Sequence, residues 1–555
     1  MKYFAIAIIL TTLQLNFKTI QAQPEQNTNN LARPKLVVGI VIDQMRWDYL
    51  YRYYNIYKTD GGFKRFLNEG FTCENTFIPY IPTVTAAGHT CIYTGSVPAI
   101  NGIVGNTWYD RQQNKEVYCA EDDTAKTVGS NTVNEGQMSP RNMLTTTITD
   151  ELRLATNFKS KVIGIALKDR GAILPAGHSA NAAYWYDIQT GNFVTSTYYM
   201  TQLPGWVQNF NNRKIVDSLY KLNWNLSLSK EVYSEYCSAD NEPYENKPFG
   251  ADQLSFPYNL SKFAGHNYGV IAATPYGGTM TFEMAKAALV AERLGKSDVT
   301  DFLAISISSP DYIGHTFGPN SWEQLDDYAR LDNDMGKFFS FLDDVVGKGQ
   351  YTVFLSADHG VVQVPGYLKE HKLPAGLFNG LNAMTEINQQ LKQNFGADSL
   401  IITMDNYQLY LNHTALKEKN IDEEKVKSLI IDYLLRNDAV SNAFDITRLS
   451  STTLNEKQKT MCSNGYNRLL SGDIQLIFKP NYIEGGAAGT THGLWNPYDS
   501  HIPLLFYGWG IKHDKTNRET YMTDIAATLA ALLHIQMPSG CVGKVIEEVI
   551  KPPTP

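Results

Sequence analysis

The sequence has no long apolar segment after its N-terminus, no closely paired cysteines and no basic tract. No stretch of 18 apolar residues in a row occurs there, so no transmembrane helix is predicted. None of the six cysteines belongs to a C-x-x-C pair, which argues against a thiolate metal site. Lys and Arg total 48 against 56 Asp and Glu, without an arginine-rich block, so a dedicated nucleic-acid partner is not expected.

The N-terminus has the pattern of a secretory signal. Lys2 supplies a positive charge, Phe4 to Leu15 an apolar stretch, and Ala22 a small residue before a cleavage site. We therefore predict a signal peptide over residues 1–22 and an exported protein, periplasmic or secreted. No cysteine follows the signal, so we expect no lipid or other membrane anchor.

An exported protein with six cysteines has room for up to three disulfides, because its compartment is oxidising. We expect the pairs Cys73–Cys119 and Cys462–Cys541. A free, buried thiol at Cys91 is equally compatible with the sequence.

The pattern of apolar segments predicts an α/β fold. The chain has 555 residues, 43% of them hydrophobic, which is enough for a large core. Apolar, β-branched runs at 36–43, at 302–308 and at the start of 351–360 predict buried strands, and the amphipathic helix 321–346 leads directly into the last of them. Strand, helix and strand form the βαβ unit of a parallel sheet. We predict a doubly wound, mainly parallel sheet in a single catalytic domain over residues 23–555.

Two segments lack the alternation of strands and helices. Residues from about 178 to 266 are rich in Tyr, Asn, Ser and Trp, and residues from about 369 to 484 mix short strands with helices. We interpret both as insertions that form a cap over the sheet.

Several predicted strand ends and loops carry carboxylates or imidazoles. The strand that begins at Tyr351 ends in Asp-His-Gly, a sequence that by itself would be an ordinary strand-to-turn junction. Three other segments offer the same kind of side chain, and ligands bind at the carboxyl ends of strands in open α/β sheets. The candidate metal ligands are Asp43, Asp311, His315, Asp358, His359 and His492. Their number fits two tetrahedral zinc sites with about three protein ligands each.

Thr85 is predicted to lie at the N-terminus of a helix, where free N–H groups favour an anion. Alone it would be a plain N-cap, but beside a metal its hydroxyl is a candidate nucleophile. His89, one helical turn further on, is interpreted as structural. Lys168 and Arg170 follow another predicted strand, 162–170, and are two residues apart, so an extended backbone would direct both to one side as an anion clamp.

Asn106, in a glycine-containing loop, offers a further donor for phosphate oxygens. Two metals about 3.5–4 Å apart stabilise both the attacking and the leaving oxygen of an in-line displacement. The combination of two metal sites, a hydroxyl nucleophile and cationic donors therefore predicts phosphoryl transfer.

Four motifs carry a resemblance to a known family. The segment Pro82-Thr-Val-Thr85-x-x-x-His89 resembles the nucleophile motif of the nucleotide pyrophosphatase/phosphodiesterase branch of the alkaline phosphatase superfamily. Residues 105–110, 168–170 and 489–493 are similar to motifs of the phosphate-irrepressible alkaline phosphatases, which are exported monoesterases with a threonine nucleophile. The likeness spans about residues 37 to 546, including both insertions.

The resemblance implies an alkaline phosphatase-type sheet with cap insertions and small phosphate monoesters as substrates. We also expect a monomer. It also implies two zinc ions per chain, and the choice of zinc over manganese rests in part on it. One ion would be held by Asp311, His315 and His492. The other would be held by Asp43, Asp358, His359 and the Thr85 oxygen. In the family, a phospho-threonine forms and is hydrolysed by a water that the first zinc activates.

Three other functions compete with this one. A phosphodiesterase or nucleotide pyrophosphatase would use the same metals, but is not expected to carry the Lys168/Arg170 clamp. A sulfatase needs a Cys or Ser in a C-x-P-x-R setting, which no cysteine here has. A catalytically dead metal- or phosphate-binding module is disfavoured because the nucleophile Thr85 is intact.

Overall fold

A mixed β-sheet of eleven strands forms the centre of the computed structural model, which describes residues 31–550. The strands in that range are β1 (Leu36–Ile42), β2 (Phe71–Phe77), β3 (Thr107–Asp110), β4 (Lys115–Tyr118), β5 (Thr127–Val128), β6 (Val162–Ala166), β7 (Ala182–Asp187), β8 (Asn192–Ser196), β9 (Asp301–Ile307), β10 (Tyr351–Ser356), β11 (Gly376–Phe378), β12 (Ile401–Asp405), β13 (Gln408–Leu411), β14 (Val440–Asp445), β15 (Ile474–Phe478), β16 (Tyr482–Glu484), β17 (His501–Gly508), β18 (Asp514–Thr516) and β19 (Thr520–Tyr521).

Helices alternate with the strands over much of the chain. The α-helices within residues 31–550 are α1 (Tyr49–Arg52), α2 (Gly62–Glu69), α3 (Thr85–Thr94), α4 (Pro98–Asn101), α5 (Ile148–Ala155), α6 (Asp169–Ala176), α7 (Gly205–Asn212), α8 (Ile215–Tyr220), α9 (Lys230–Tyr236), α10 (Tyr276–Ala291), α11 (Ser309–Phe317), α12 (Trp322–Leu342), α13 (Pro365–Glu370), α14 (Gly380–Phe395), α15 (His413–Glu418), α16 (Glu423–Leu434), α17 (Glu456–Gly465), α18 (Pro497–Ser500) and α19 (Asp524–Leu533).

The central sheet has the order β18-β2-β17-β10-β1-β9-β6-β7-β8-β5, with β19 also paired to β2. The strands from β10 to β7 in this order are mutually parallel, and β17 joins them antiparallel. All seven residues of β1 are buried, as expected for a parallel strand covered on both faces. The predicted α/β class with a mainly parallel sheet is therefore confirmed.

Helices cover both faces of this sheet. A Cβ added at Gly39 of β1 would overlap Tyr93 of α3. On the other face, Gly278 of α10 lies against Ile307 of β9. Ile307 pairs with Ile42, three residues from Gly39, so the two contacts lie on opposite sides of the sheet. This two-sided cover makes the sheet doubly wound.

The first predicted insertion is shorter than expected. Strand β7 pairs in parallel with β6, and β8 pairs with β7, so both belong to the central sheet. The boundary predicted at about residue 178 is therefore wrong, and the part outside the sheet begins after Ser196. The aromatic sequence Ala-Ala-Tyr-Trp-Tyr-Asp was not predicted as a strand, although it forms β7 and all six of its residues are buried.

The segment 376–484 builds a second sheet with its own core. Its four strands have the order β12-β13-β15-β14 and are antiparallel. Buried apolar residues of α14 and α16, such as Ile387 and Ile430, pack in a common cluster with Leu476 of β15. From Arg33 onward the described residues nevertheless form one compact unit.

None of the helices in residues 31–550 has the length and apolarity needed to cross a membrane. The predicted signal peptide, residues 1–22, lies outside the described residues.

The structure contains free cysteines where disulfides were predicted. Cys73 lies in the main core on β2, whereas Cys119 belongs to a separate cluster with Trp108. Cys462 packs in a third cluster, and Cys541 lies beside Gly95 at the end of α3. Both predicted pairings are therefore wrong, because all four cysteines are free and the partners of each pair have different surroundings. Cys91 is free and buried, the alternative that the sequence allowed.

Candidate active site

The candidate ligands meet at the carboxyl edge of the parallel strands. Asp43 follows β1 directly, Asp358 follows β10 by two residues, and Asp311 lies in the first turn of α11, which follows β9. Strand β1 lies between β9 and β10, with Ile42 opposite Ile307 and Val41 opposite Ser356. Three carboxylates from distant parts of the sequence therefore converge because three neighbouring strands end together.

Thr85 is the first residue of α3 and has only 2% of its surface exposed. A Cβ at Gly88, three residues later, would overlap the backbone and Cβ of Asp358, so glycine is what allows α3 to approach the end of β10. The side-chain oxygen of Asn106 accepts a hydrogen bond of 2.9 Å from the backbone N–H of Ala86. This bond ties Asn106 to the N-terminus of α3 and leaves its amide nitrogen as the donor.

One buried lysine joins two of the carboxylates. The Nζ atom of Lys168 lies 2.7 Å from Oδ2 of Asp43 and 2.6 Å from Oδ2 of Asp311. Burial by itself would lower the pKa of Lys168, but Asp311 and Asp43 raise it, so the lysine stays charged. Burial would raise the pKa of Asp311, but His315 and then Lys168 lower it well below its usual value.

The carboxylate of Asp358, unlike those of Asp43 and Asp311, is not paired with Lys168. Burial, and next the neighbouring charge of Asp43, raise its pKa well above the usual carboxyl value. The backbone N–H of Gln44 donates to Oδ1 at 3.0 Å, but Oδ2 is buried with no hydrogen-bond partner among the described residues. The strand ends thus bring together more negative charge than Lys168 neutralises.

The three candidate histidine ligands share one orientation. Each uses its Nδ1 atom to donate to a backbone carbonyl: His315 to Thr490 at 2.7 Å, His359 to Gly360 at 3.0 Å and His492 to Thr83 at 2.7 Å. Since a carbonyl only accepts, each Nδ1 atom carries a proton, and Nε2 is the ring nitrogen that is left to bind a metal. Metal-bound histidines are held in this way, by a hydrogen bond from the other ring nitrogen.

Two groups of donor atoms are close enough to surround an ion. Atoms of Asp311, His359 and His492 lie within 4.8 Å of one another, and so do atoms of Asp43, His89 and Asp358. Nε2 of His315 lies 3.2 Å from Oδ1 of Asp311. All six candidate ligands are therefore in one place. His359 differs from the predicted assignment, since it groups with the Asp311 side as well as lying beside Asp358.

His89 is not free to bind a metal, although its atoms fall within the second group. Its Nδ1 atom is 2.9 Å from the carbonyl of Thr85, and its Nε2 atom is 2.9 Å from Oγ of Ser306. Both ring nitrogens are therefore engaged, which agrees with the structural role predicted for His89.

The residues at this edge fit a divalent ion such as zinc. Nε2 of His359 and Oδ2 of Asp358 lie 3.3 Å apart, and neither buried atom has a hydrogen-bond partner within residues 31–550. Burial lowers the pKa of His359 to about 4, so its imidazole is neutral and able to donate a lone pair. Burial, followed by the neighbouring His359 and His315, likewise lowers the pKa of His492. Carboxylate oxygens and neutral imidazole nitrogens are the donor set that zinc accepts.

The predicted clamp has a different geometry from the one expected. Strand β6 ends at Ala166, and α6 begins directly after Lys168, so Arg170 lies in a helical turn and not on an extended strand. Lys168 faces the carboxylates, whereas Nη1 of Arg170 donates to the hydroxyl of Tyr118 at 3.1 Å. The negative charge of Asp169 in the first turn favours the helix at this point.

Sequence reasoning missed two residues that support the ligands. Gln44 is fully buried at a φ of 63°, and its Nε2 donates to Oδ1 of Asp311 at 2.6 Å while its backbone binds Asp358. Oδ2 of Asp499 accepts from the backbone N–H groups of Gly493 and Leu494 at 3.2 and 3.0 Å, directly after His492. The only signal for Gln44 was its position next to Asp43, and Asp499 had none.

Comparison with known proteins defines the class to which this site belongs. The chain is a member of the type I phosphodiesterase / nucleotide pyrophosphatase family, whose model matches residues 37–495, and thereby of the alkaline phosphatase superfamily.

Two relatives that match nearly the whole chain are alkaline phosphatases. Alkaline phosphatase PhoV of Synechococcus elongatus is 52% identical over 534 residues, with 96% of each chain covered. Alkaline phosphatase PafA of Elizabethkingia meningoseptica is 49% identical over 527 residues, covering 95% of this chain and 96% of that one. The crystal structure of wild-type PafA superposes with a TM-score of 0.92 over 94% of this chain and 100% of that one. A PafA mutant with one threonine, one asparagine, one lysine and one arginine substituted, 48% identical, matches with the same TM-score and coverage.

Proposed function

We propose that this protein is an exported, zinc-dependent alkaline phosphatase that hydrolyses phosphate monoesters through a phosphorylated Thr85. The observation that carries the proposal is the set of three histidines whose Nδ1 atoms donate to backbone carbonyls, beside three buried carboxylates and the start of α3. The two alkaline phosphatases that match nearly the whole chain support the same reaction.

Two zinc ions are the proposed cofactors. One proposed set of ligands is Asp311, His315 and His492, whose Nε2 atoms lie 3.2 Å (His315) and 3.8 Å (His492) from Oδ1 of Asp311. The other is Asp43, Asp358, His359 and the hydroxyl oxygen of Thr85, with Nε2 of His359 3.3 Å from Oδ2 of Asp358. When bound, the ions would supply positive charge that lowers the pKa of the Thr85 hydroxyl and stabilises the attacking and leaving oxygens. The unpartnered atoms of Asp358 and His359 support the second set of ligands.

The protein's own residues then perform two displacements. The Oγ1 atom of Thr85 forms a bond to phosphorus as the bond to the leaving alcohol breaks, and the alcohol departs with a proton. Water next attacks phosphorus, the bond to Thr85 breaks, and phosphate and the free hydroxyl are regenerated. The N–H groups at the start of α3 favour the negative charge that the phosphoryl oxygens carry in both steps.

Lys168, Asn106 and Arg170 are the proposed substrate-binding residues. The amide nitrogen of Asn106 remains as a donor beside Thr85, and the charged Lys168 lies at the carboxylate cluster. The four residue types substituted together in the PafA mutant stand at the same mutual spacing as Thr85, Asn106, Lys168 and Arg170. That correspondence supports a joint role for the four.

The alternative is a phosphodiesterase or nucleotide pyrophosphatase, because the matching family model carries that description. Hydrolysis of matched mono- and diesters of one alcohol by zinc-replete protein separates the two. We expect the larger kcat/KM for the monoester. A larger value for the diester, at equal zinc content, would overturn the proposed specificity.

The secretory pattern of residues 1–22 supports export, and we propose that the enzyme acts as a monomer.

A further inference from the structure

A two-residue turn of the second sheet reaches the catalytic edge. Strands β12 and β13 pair up to Asp405 and Gln408, so Asn406 and Tyr407 alone form the turn. Their φ angles are 53° and 60°, the left-handed values of the tight turn that fits the twist of a hairpin. Such a turn has little freedom, and we call residues 405–407 the hairpin tip.

One side of the hairpin tip holds the residue next to Asn106. Nδ2 of Asn406 donates to the backbone carbonyl of Thr107 at 2.7 Å. The hydroxyl of Thr107 donates in turn to Oδ2 of Asp405 at 3.0 Å. Asn106 is thus held between the N-terminus of α3, through Ala86, and the hairpin tip, through Thr107.

The other side of the hairpin tip holds the residue His492. The hydroxyl of Tyr407 donates to the backbone carbonyl of His492 at 2.7 Å. The Tyr407 ring packs so closely on Gly493, at a φ of 137°, that a Cβ there would overlap the ring. The same short segment is also bound by Thr83, whose N–H donates to the carbonyl of Gly493 at 3.1 Å and whose own carbonyl accepts from His492.

We infer that the hairpin tip is a positioning element of the active site, in which Tyr407 sets the place of His492 and Asn406 sets the place of Asn106. The inference rests on the proposed function, since it takes His492 as a zinc ligand and Asn106 as a phosphate donor. It assigns to the second insertion a role in aligning two groups that come from segments almost 400 residues apart in the sequence. Such alignment matters because displacement of a catalytic group by a fraction of an ångström lowers the rate.

The first test removes the Tyr407 hydroxyl with Tyr407→Phe. Its matched control is Tyr410→Phe, in the same hairpin, which removes a hydroxyl that donates to the carbonyl of Leu470 at 2.9 Å, away from the ligands. We expect the zinc dissociation constant, measured by competition with a chromogenic chelator, to rise about two- to tenfold in Tyr407→Phe, the worth of one neutral hydrogen bond. The constant of the control should equal that of the wild type.

The second test uses Asn406→Gly, because glycine keeps the φ of 53° without strain. The inhibition constant of inorganic phosphate should rise about two- to tenfold, again by the worth of one hydrogen bond, while zinc affinity stays the same. Melting temperatures identify any variant that is merely unfolded. The inference is wrong if Tyr407→Phe has the same zinc dissociation constant as Tyr410→Phe and Asn406→Gly has the same phosphate inhibition constant as wild type. This conclusion requires that the wild-type protein binds two zinc ions and cleaves monoesters. A wild type without zinc or monoesterase activity would instead overturn the proposed function.

Discussion

Removal of Lys168 should separate substrate selectivity from metal binding. Its ammonium lies 2.7 and 2.6 Å from carboxylates of Asp43 and Asp311, which are ligands proposed for different ions. With the two proposed zinc ions bound, those carboxylates would have other partners, and Lys168 would become available to a phosphate oxygen. A phosphate monoester dianion carries one more negative charge than a diester, so Lys168 and Arg170 should favour the monoester.

The expected size of the effect follows from the charges involved. A hydrogen bond to a charged group contributes about 1.5–3 kcal/mol, or about 10- to 150-fold in rate when it is made in the transition state. The double variant Lys168→Ala/Arg170→Ala should therefore lose about a hundredfold or more in monoester kcat/KM, allowing for non-additivity. Diester hydrolysis should fall much less, because the second substituent occupies the space near the cations.

Lys168→Ala has a second consequence, for stability. Breaking a buried ion pair by removing one partner costs about 3–5 kcal/mol, because the other charge is left uncompensated. This cost should appear in zinc-free protein, where Asp43 and Asp311 lose their cation, and should be much smaller when zinc is bound. Denaturant unfolding with and without zinc measures both values.

The assay compares the ratio of monoester to diester kcat/KM in wild type, both single variants and the double variant at saturating zinc. Lys161→Ala is the matched control, since Lys161 precedes β6 at the end of the strand opposite to Lys168 and pairs with Glu292. An unchanged ratio in the double variant would refute the assignment of the two cations to substrate selectivity.

Three further results are expected. Thr85→Ala should lose nearly all turnover but keep its zinc, and Thr85→Ser should stay active; a kcat near wild type in Thr85→Ala would exclude Thr85 as the nucleophile. Exhaustive chelation should abolish activity and lower the melting temperature, because Lys168 alone does not compensate the three buried carboxylates, and zinc should restore both; full activity of protein shown to contain no metal would contradict the zinc requirement. Burial raises the pKa of Glu323 from 4.5 to about 8, so wild-type stability should fall as the pH rises between those values, whereas Glu323→Gln has no carboxyl group at this position to titrate. The melting temperature of Glu323→Gln minus that of wild type should therefore increase from pH 5 to pH 9. A difference that stays constant over this range would show that the pKa of Glu323 is not raised.

The sequence was most informative where one physical pattern dominated. Continuous apolar runs predicted β1, β9 and β10, since strands covered on both faces need no polar alternation. Because parallel strands end at one edge, the residues that follow them could be placed together without any knowledge of side-chain contacts. The helical spacing of Asp311 and His315 in α11 was predicted for the same reason, from geometry within a single element.

The errors arose where local sequence did not determine the outcome. Lys168 and Arg170 were assigned to a strand, but the chain turns into α6 after Ala166. Strand β7 was missed because its sequence has the same Tyr- and Trp-rich composition as the irregular segment in which it was placed. Disulfide partners cannot be deduced from the sequence, since pairing depends on distances between separate clusters. Gln44 and Tyr407 act through hydrogen bonds to distant residues, which no local pattern reports.

The central claim is that phosphate passes from the substrate to Thr85 before it reaches water. Its most direct test is mass spectrometry of zinc-loaded protein quenched with acid during turnover of a phosphate monoester, followed by peptide mapping. We predict a phosphoryl group on the peptide that contains Thr85, at that residue, and none in Thr85→Ala treated identically. Rapid turnover of wild type with Thr85 unmodified at every quench time and pH, or with the phosphoryl group on another residue, would contradict the mechanism.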